Sequence, residues 1–187
     1  NLKGYDMHHI LKHVLSNFKN WNLSCIPTST EKFISLIVHT IGIQIKFIDS
    51  YQFLNDSLSK AVNTLTDTPI TKTEMKNDKL CKSKGIFPYE FATSLNVLTE
   101  TLELPPIWEG VTESEYMLAK DIWKEMGCHS MLDYMLVYMK LDVFLLADVF
   151  QQFRQKSIQN NGLEPLNFYG IPGMSWASAL MTLDEPI

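Results

Sequence analysis

Asp142 is an acidic residue in the most apolar stretch of the chain, preceded by Leu141 and followed by Val143-Phe144-Leu145-Leu146. An ionised carboxylate is rarely buried without a partner or a metal ion. Tyr138 lies four residues earlier, so a helix puts the two side chains on one face. A tyrosine hydroxyl beside a metal-bound carboxylate can orient an attacking water. The same spacing is also met by a solvent-facing carboxylate with Tyr138 packed in a core. Asp6 follows Asn1, Gly4 and Tyr5 where a helix begins, and there it serves equally as a cap or as a ligand. Asp49-Ser50 ends a β-branched run, a usual place for ligands in open α/β sheets and also for helix caps. Lys84 precedes Gly85, which would let the backbone approach a phosphate; a merely solvated lysine is the plainer alternative.

Other chemistry is less well supplied. His9 and His13 have the i, i+4 spacing of a metal pair, but no Glu lies between them and no third ligand is evident. Ser and Cys nucleophiles have no orienting base in view, and no Gly-rich phosphate loop is present. Cys25, Cys81 and Cys128 are widely scattered, which argues against a disulfide framework or a structural zinc site and fits a reducing compartment.

The elements that must position these residues alternate in type. Residues 8–18 place Ile10, Leu11, Val14, Leu15 and Phe18 at helical spacing. Trp21 to Lys32 is polar and contains Pro27, and reads as a loop. KFISLIVHT and IQIKFID, separated by Ile41-Gly42, read as a hairpin with Ile43, Ile45 and Phe47 on one face. Ser50 is the expected cap of a short helix through Phe53 and Leu54. Asn63 to Ser83, rich in Thr, Asp and Lys and carrying Pro69, reads as a mobile surface loop. KGIFPYEF is irregular and aromatic, and Pro105-Pro106 excludes helix locally. Thr112 with Glu115 forms a capping box for a helix stopped at Gly127. Ser130 with Asp133 opens a helix of about 25 residues that ends before Asn160-Asn161-Gly162. A last helix is expected after Pro172-Gly173. The class is α/β, without internal repeats.

Composition is that of a globular core: 187 residues, 45% hydrophobic and 20% charged, enough for one domain or a domain with a tail. No apolar run approaches the roughly 20 residues that cross a bilayer, and the start has no signal-peptide pattern. The net charge of −5 shows no basic stripe, which leaves DNA open as a substrate because a nuclease clusters carboxylates around metal. Arg154 is the only arginine among 16 basic residues, a weak hint of an AT-rich genome.

Taken in order, NLKGYD, the Ile-Asp-Ser strand end, KGIFPYEF, Tyr138-Met-Lys-Leu-Asp142 and LLADVFQQFR resemble the exonuclease domain of protein-primed family B DNA polymerases. These serve certain phages, adenovirus-like viruses, linear plasmids and the large Maverick or Polinton transposons. KGIFPYEF, DVFLLADVF and PGMSW look like the transposon and eukaryotic-virus branch. The resemblance covers nearly the entire chain, least of all residues 63–79.

The resemblance implies a ribonuclease-H-like (DnaQ-like) α/β fold, a mixed sheet with flanking helices, and a two-metal Mg²⁺ mechanism on the 3′ end of single-stranded DNA. It makes Asp6 and Asp142 metal-associated carboxylates, Tyr138 the residue that positions the water or hydroxide, and Lys84 the group that stabilises the scissile phosphate. Lys82 is near enough to be the matching lysine instead. Asn1 and Tyr5 would contact the DNA 3′ end, and Ser50 with Tyr51 falls on a strand-binding motif whose second position is usually Leu. A terminal-protein primer is a further implied partner; no membrane role is implied, and the place of action is nucleus or cytoplasm.

The family's Asp-x-Glu motif, which precedes NLKGYD and supplies two more carboxylates, is not in the chain. Palm motifs are also missing, and DTPI at Asp67 falls too early to stand for one. The expectation is therefore residues 1–160 as an exonuclease domain lacking its N-terminal part and 161–187 as the connection toward the polymerase domain. About half of a two-metal site would be present, so the isolated chain is expected to show little nuclease activity. A stand-alone exonuclease and a non-catalytic DNA-binding remnant are the other readings.

Overall fold

The computed structural model describes residues 7–17, 21–29, 32–77, 84–105, 108 and 110–183. The chain divides into two compact units, Asn1–Asp56 with Phe153–Ile187, and Ser57–Gln152.

In the first unit, helix α1 (Met7–Asn17) is followed by strands β1 (Asn22–Ser29), β2 (Lys32–Thr40) and β3 (Ile43–Ile48). The strands form one antiparallel sheet in the order β1-β2-β3. The expected hairpin is present, with Gly42 at φ +78°, a conformation that glycine adopts without the usual steric penalty. Leu36 and Val38 alternate onto one face of β2 and form a buried cluster with Met7 of α1. Phe47 stands opposite Leu36 and joins this cluster, whereas Ile45, opposite Val38, and Ile43 are exposed. The apolar alternation of β3 is thus only partly covered.

Most of Trp21 to Lys32, expected as a loop, is strand. Asn22–Ser29 is an edge strand, and its register with β2 shifts on both sides of Pro27. An edge position and a bulge are where a sheet tolerates a residue without an N–H, and an exposed edge strand has no need of apolar alternation. Asp49, not Ser50, caps the turn after β3. Its carboxylate accepts the Tyr51 N–H at 3.1 Å, and the turn is a single 3₁₀ segment, Ser50–Gln52.

The second unit is helical: α2 (Leu58–Val62), α3 (Pro69–Met75), α4 (Leu95–Glu100) and α5 (Glu113–Glu125), with residues 131–152 of α6 (Met131–Asn161). The capping box of α5 forms as expected, with Thr112 and Glu115 each bonded to the other's backbone N–H. Gly127 at φ +63° follows the helix. At the start of α6, the Asp133 N–H donates to Ser130 Oγ at 3.2 Å and the His129 N–H donates to Asp133 Oδ2 at 2.9 Å. The helix then runs 31 residues, longer than its spacing predicts.

Part of the stretch from Asn63 to Ser83 is ordered helix rather than mobile loop. Pro69 occupies a first-turn position of α3, where a missing N–H costs nothing. The next two N–H groups, of Ile70 and Thr71, donate to the buried Asp148 carboxylate of α6 at 2.9 Å each, and the Thr71 hydroxyl adds a third bond at 2.6 Å. The carboxylate that caps α3 lies almost eighty residues away, where no local pattern reveals it.

Beyond α6, a 3₁₀ turn (Pro165–Asn167) leads to α7 (Ile171–Leu180), which begins before Pro172. Arg154 pairs with Glu164 through Nε at 2.7 Å. Among the described residues no helix is long and apolar enough to cross a membrane. The class is α/β, with an antiparallel sheet and helices.

Candidate active site on the long helix

Tyr134, Tyr138 and Asp142 succeed one another at four-residue intervals and so share a face of α6. The irregular segment from Lys84 to Tyr89 lies along that face. The Tyr134 hydroxyl donates to the Ile86 carbonyl at 2.7 Å. The Phe87 ring stacks on Tyr134 at 6.1 Å and 16°, and on Tyr138 at 5.5 Å and 28°. Gly85 is buried, and a Cβ there would sit 3.2 Å from Tyr138 Cδ2 and 3.6 Å from Leu141 Cδ2. Its small size therefore makes room for the Tyr138 ring, a packing reason distinct from the approach to a phosphate that the sequence suggests.

These contacts deliver the Lys84 ammonium to Asp142, with Nζ 3.8 Å from Oδ2. Asp142 Oδ1 is buried without a hydrogen-bond partner among the described residues. Burial among the apolar side chains of α6 raises the affinity of Asp142 for a proton, and the Lys84 charge and the Tyr138 hydroxyl pull it only partly back. A half-buried carboxylate with an unused oxygen and a net electrostatic deficit is the donor chemistry a divalent cation would satisfy. Asp142 is thus suited to hold one.

Burial also pushes the Tyr138 phenol well above its ordinary range, helped by its bond to Tyr89 and by the Asp142 charge. The phenol therefore stays protonated and acts as a hydrogen-bond donor and acceptor, not as an anionic base. Its hydroxyl lies 2.9 Å from that of Tyr89. Next to this pair opens a cleft of about 530 Å³, lined by Phe87, Tyr89, Phe91 and Trp108 among others.

Of the expected site residues, Lys84, Tyr138 and Asp142 come together in the second unit. Ser50 and Tyr51 belong to the first unit, where the Tyr51 ring is exposed and open to stacking. Asn1, Tyr5, Asp6 and Lys82 lie outside the described residues. Among the described residues no three His, Cys, Asp or Glu side chains converge on a metal position, and His9 with His13 forms no such group. Tyr134 and Tyr89 are not among the expected site residues, and Gly85 is expected only to let the backbone approach a phosphate. Tyr134 could have been found from the repeated four-residue interval, whereas the hydroxyl contact of Tyr89 and the packing role of Gly85 have no local signal.

The family described as DNA polymerase type B, organellar and viral, matches residues 1–177. No curated protein and no solved structure matches the chain.

Proposed function

This chain belongs to the organellar and viral family of type B DNA polymerases, and we propose that residues 1–160 form its 3′–5′ proofreading exonuclease, of ribonuclease-H-like fold and from the protein-primed branch. The reading is supported by the convergence of Lys84 and Tyr138 on the half-buried Asp142 carboxylate. In the proposed reaction the 3′-terminal nucleotide of single-stranded DNA is removed by hydrolysis. Asp142, with Asp6, would hold Mg²⁺. When bound, two such ions stabilise the attacking and leaving oxygens of the phosphodiester.

The remaining roles fall to the chain's own groups. Tyr138, kept as a neutral phenol, orients the water through its hydroxyl. Lys84 places a positive charge beside the carboxylate, where the charge of the scissile phosphate would accumulate. Asn1, Tyr5, Ser50 and Tyr51 bind the unpaired strand, and an aromatic ring accepts any base by stacking, as proofreading requires. A terminal-protein primer is the partner that this branch implies.

The test is hydrolysis of a 3′-labelled single strand in Mg²⁺ by the product of the complete reading frame that contains these residues. Asp142→Ala should cost about 10³-fold or more in rate, since a metal-held charge contributes several kcal/mol to the transition state. Hydrolysis that survives this substitution unchanged would remove Asp142 from the mechanism. DNA binding without any Mg²⁺-dependent hydrolysis would instead mark a non-catalytic module.

A further inference from the structure

We propose that Tyr89 is a positioning residue of this site, whose hydroxyl fixes the rotation of the Tyr138 hydroxyl. The inference rests on the exonuclease reading above and adds a residue to it. The two oxygens are 2.9 Å apart, a normal hydroxyl–hydroxyl hydrogen bond. Each hydroxyl has one proton and two lone pairs, so either oxygen can donate in this pair. Whichever one donates, the bond gives the otherwise buried Tyr138 hydroxyl a fixed partner and so a fixed rotation.

Tyr89 is 70% exposed, yet it is held on three sides. Its N–H donates to the Phe87 carbonyl at 3.0 Å, and the Ala92 N–H donates to its own carbonyl at 3.2 Å. Its ring meets Phe87 edge-on at 5.3 Å and Tyr138 at 6.2 Å. A side chain with so much solvent available gains little from burial; the contact that distinguishes it is the hydroxyl pair. Without Tyr89, the buried Tyr138 hydroxyl would be free to rotate or to take a solvent proton, and the group that orients the water would lose its direction.

Tyr89→Phe keeps every ring contact and removes only the oxygen. In the product of the complete reading frame, this change should lower kcat for 3′-nucleotide removal about tenfold and leave KM for the strand unchanged. Tyr138→Phe should cost more, and adding Tyr89→Phe to it should cost nothing further. A raised KM with unchanged kcat would make Tyr89 a DNA contact, and a loss that adds in full to that of Tyr138→Phe would show that it acts elsewhere; either overturns the proposal. If the unaltered protein hydrolyses nothing, the exonuclease reading fails, and Tyr89 is judged by the ¹³Cζ resonance of Tyr138 in labelled protein. A shift of that resonance in Tyr89→Phe supports the positioning contact, and an unmoved resonance refutes it.

Discussion

Asp142 is held in an arrangement that serves binding better than stability. Its carboxylate is half-buried, one oxygen is unpaired among the described residues, and burial outweighs the help of Lys84 and Tyr138. A site of this kind pays in folding free energy for readiness toward a ligand. Asp142→Asn, which removes the charge and keeps the shape, should therefore raise the urea midpoint at neutral pH in EDTA; a lower midpoint would mean that the Lys84 pair outweighs burial. Gly85 makes the opposite case, since any side chain there meets Tyr138, Leu141 and Ile122 within 3.7 Å. The Tyr138 ring is already stacked on Phe87 and cannot retreat freely. Gly85→Ala should cost about 1–3 kcal/mol in denaturant unfolding, and an unchanged midpoint would show that the aromatic stack is looser than the structure describes.

At the scale of elements, the decisive contact is the cap that α6 supplies to α3. Asp148→Ala removes three hydrogen bonds to a charged acceptor and strands two buried donors, for a loss of about 3 kcal/mol. Hydrogen exchange should locate the loss in Pro69–Met75, and uniform loosening of the chain would contradict this assignment. The start of α6 responds to acid instead. The His129 N–H and the Ser130 hydroxyl hold the Asp133 carboxyl below its ordinary value. A depressed folded pKa gives a contribution that is complete above the unfolded value of roughly 3.9 and is lost as pH falls through the folded one. The His129 amide resonance should thus titrate below about pH 3.9, and Asp133→Ala should abolish that step; a midpoint above the ordinary value would refute the cap. The same contacts explain what could be read in advance. The caps of α5 and α6 and the hairpin at Gly42 are local, four residues or fewer from what they serve, and they are written in the sequence. Strand β1 is an exposed edge without apolar alternation, and helix α3 depends on Asp148 far along the chain, so composition alone made them loops. The site divides in the same way: Tyr138 and Asp142 share a helical face by spacing, but the lysine's approach and the Tyr89 hydroxyl depend on how residues 84–89 lie along α6.

At the scale of the whole molecule, charge sets the terms on which DNA can be held. There are 21 acidic and 16 basic residues, for a net charge of −5, so a polyanionic strand meets net repulsion. Lys84 stands 3.8 Å from Asp142 and is partly offset by it. A divalent cation at Asp142 would reverse this local balance, because it cancels the carboxylate, frees the Lys84 charge for phosphate and adds a positive charge of its own. Binding of a single strand by this chain should therefore depend on the cation and not only on salt. Fluorescence anisotropy with a labelled oligonucleotide should show binding at least about tenfold tighter in Ca²⁺ than in EDTA, since an added charge contact with phosphate is worth of order 1.4 kcal/mol or more. Asp142→Ala should erase that increment while leaving binding in EDTA unchanged or slightly stronger, because it also removes a negative charge. Equal affinity with and without the cation would mean that the strand is held on other surfaces, and that the carboxylate of α6 takes no part in holding it.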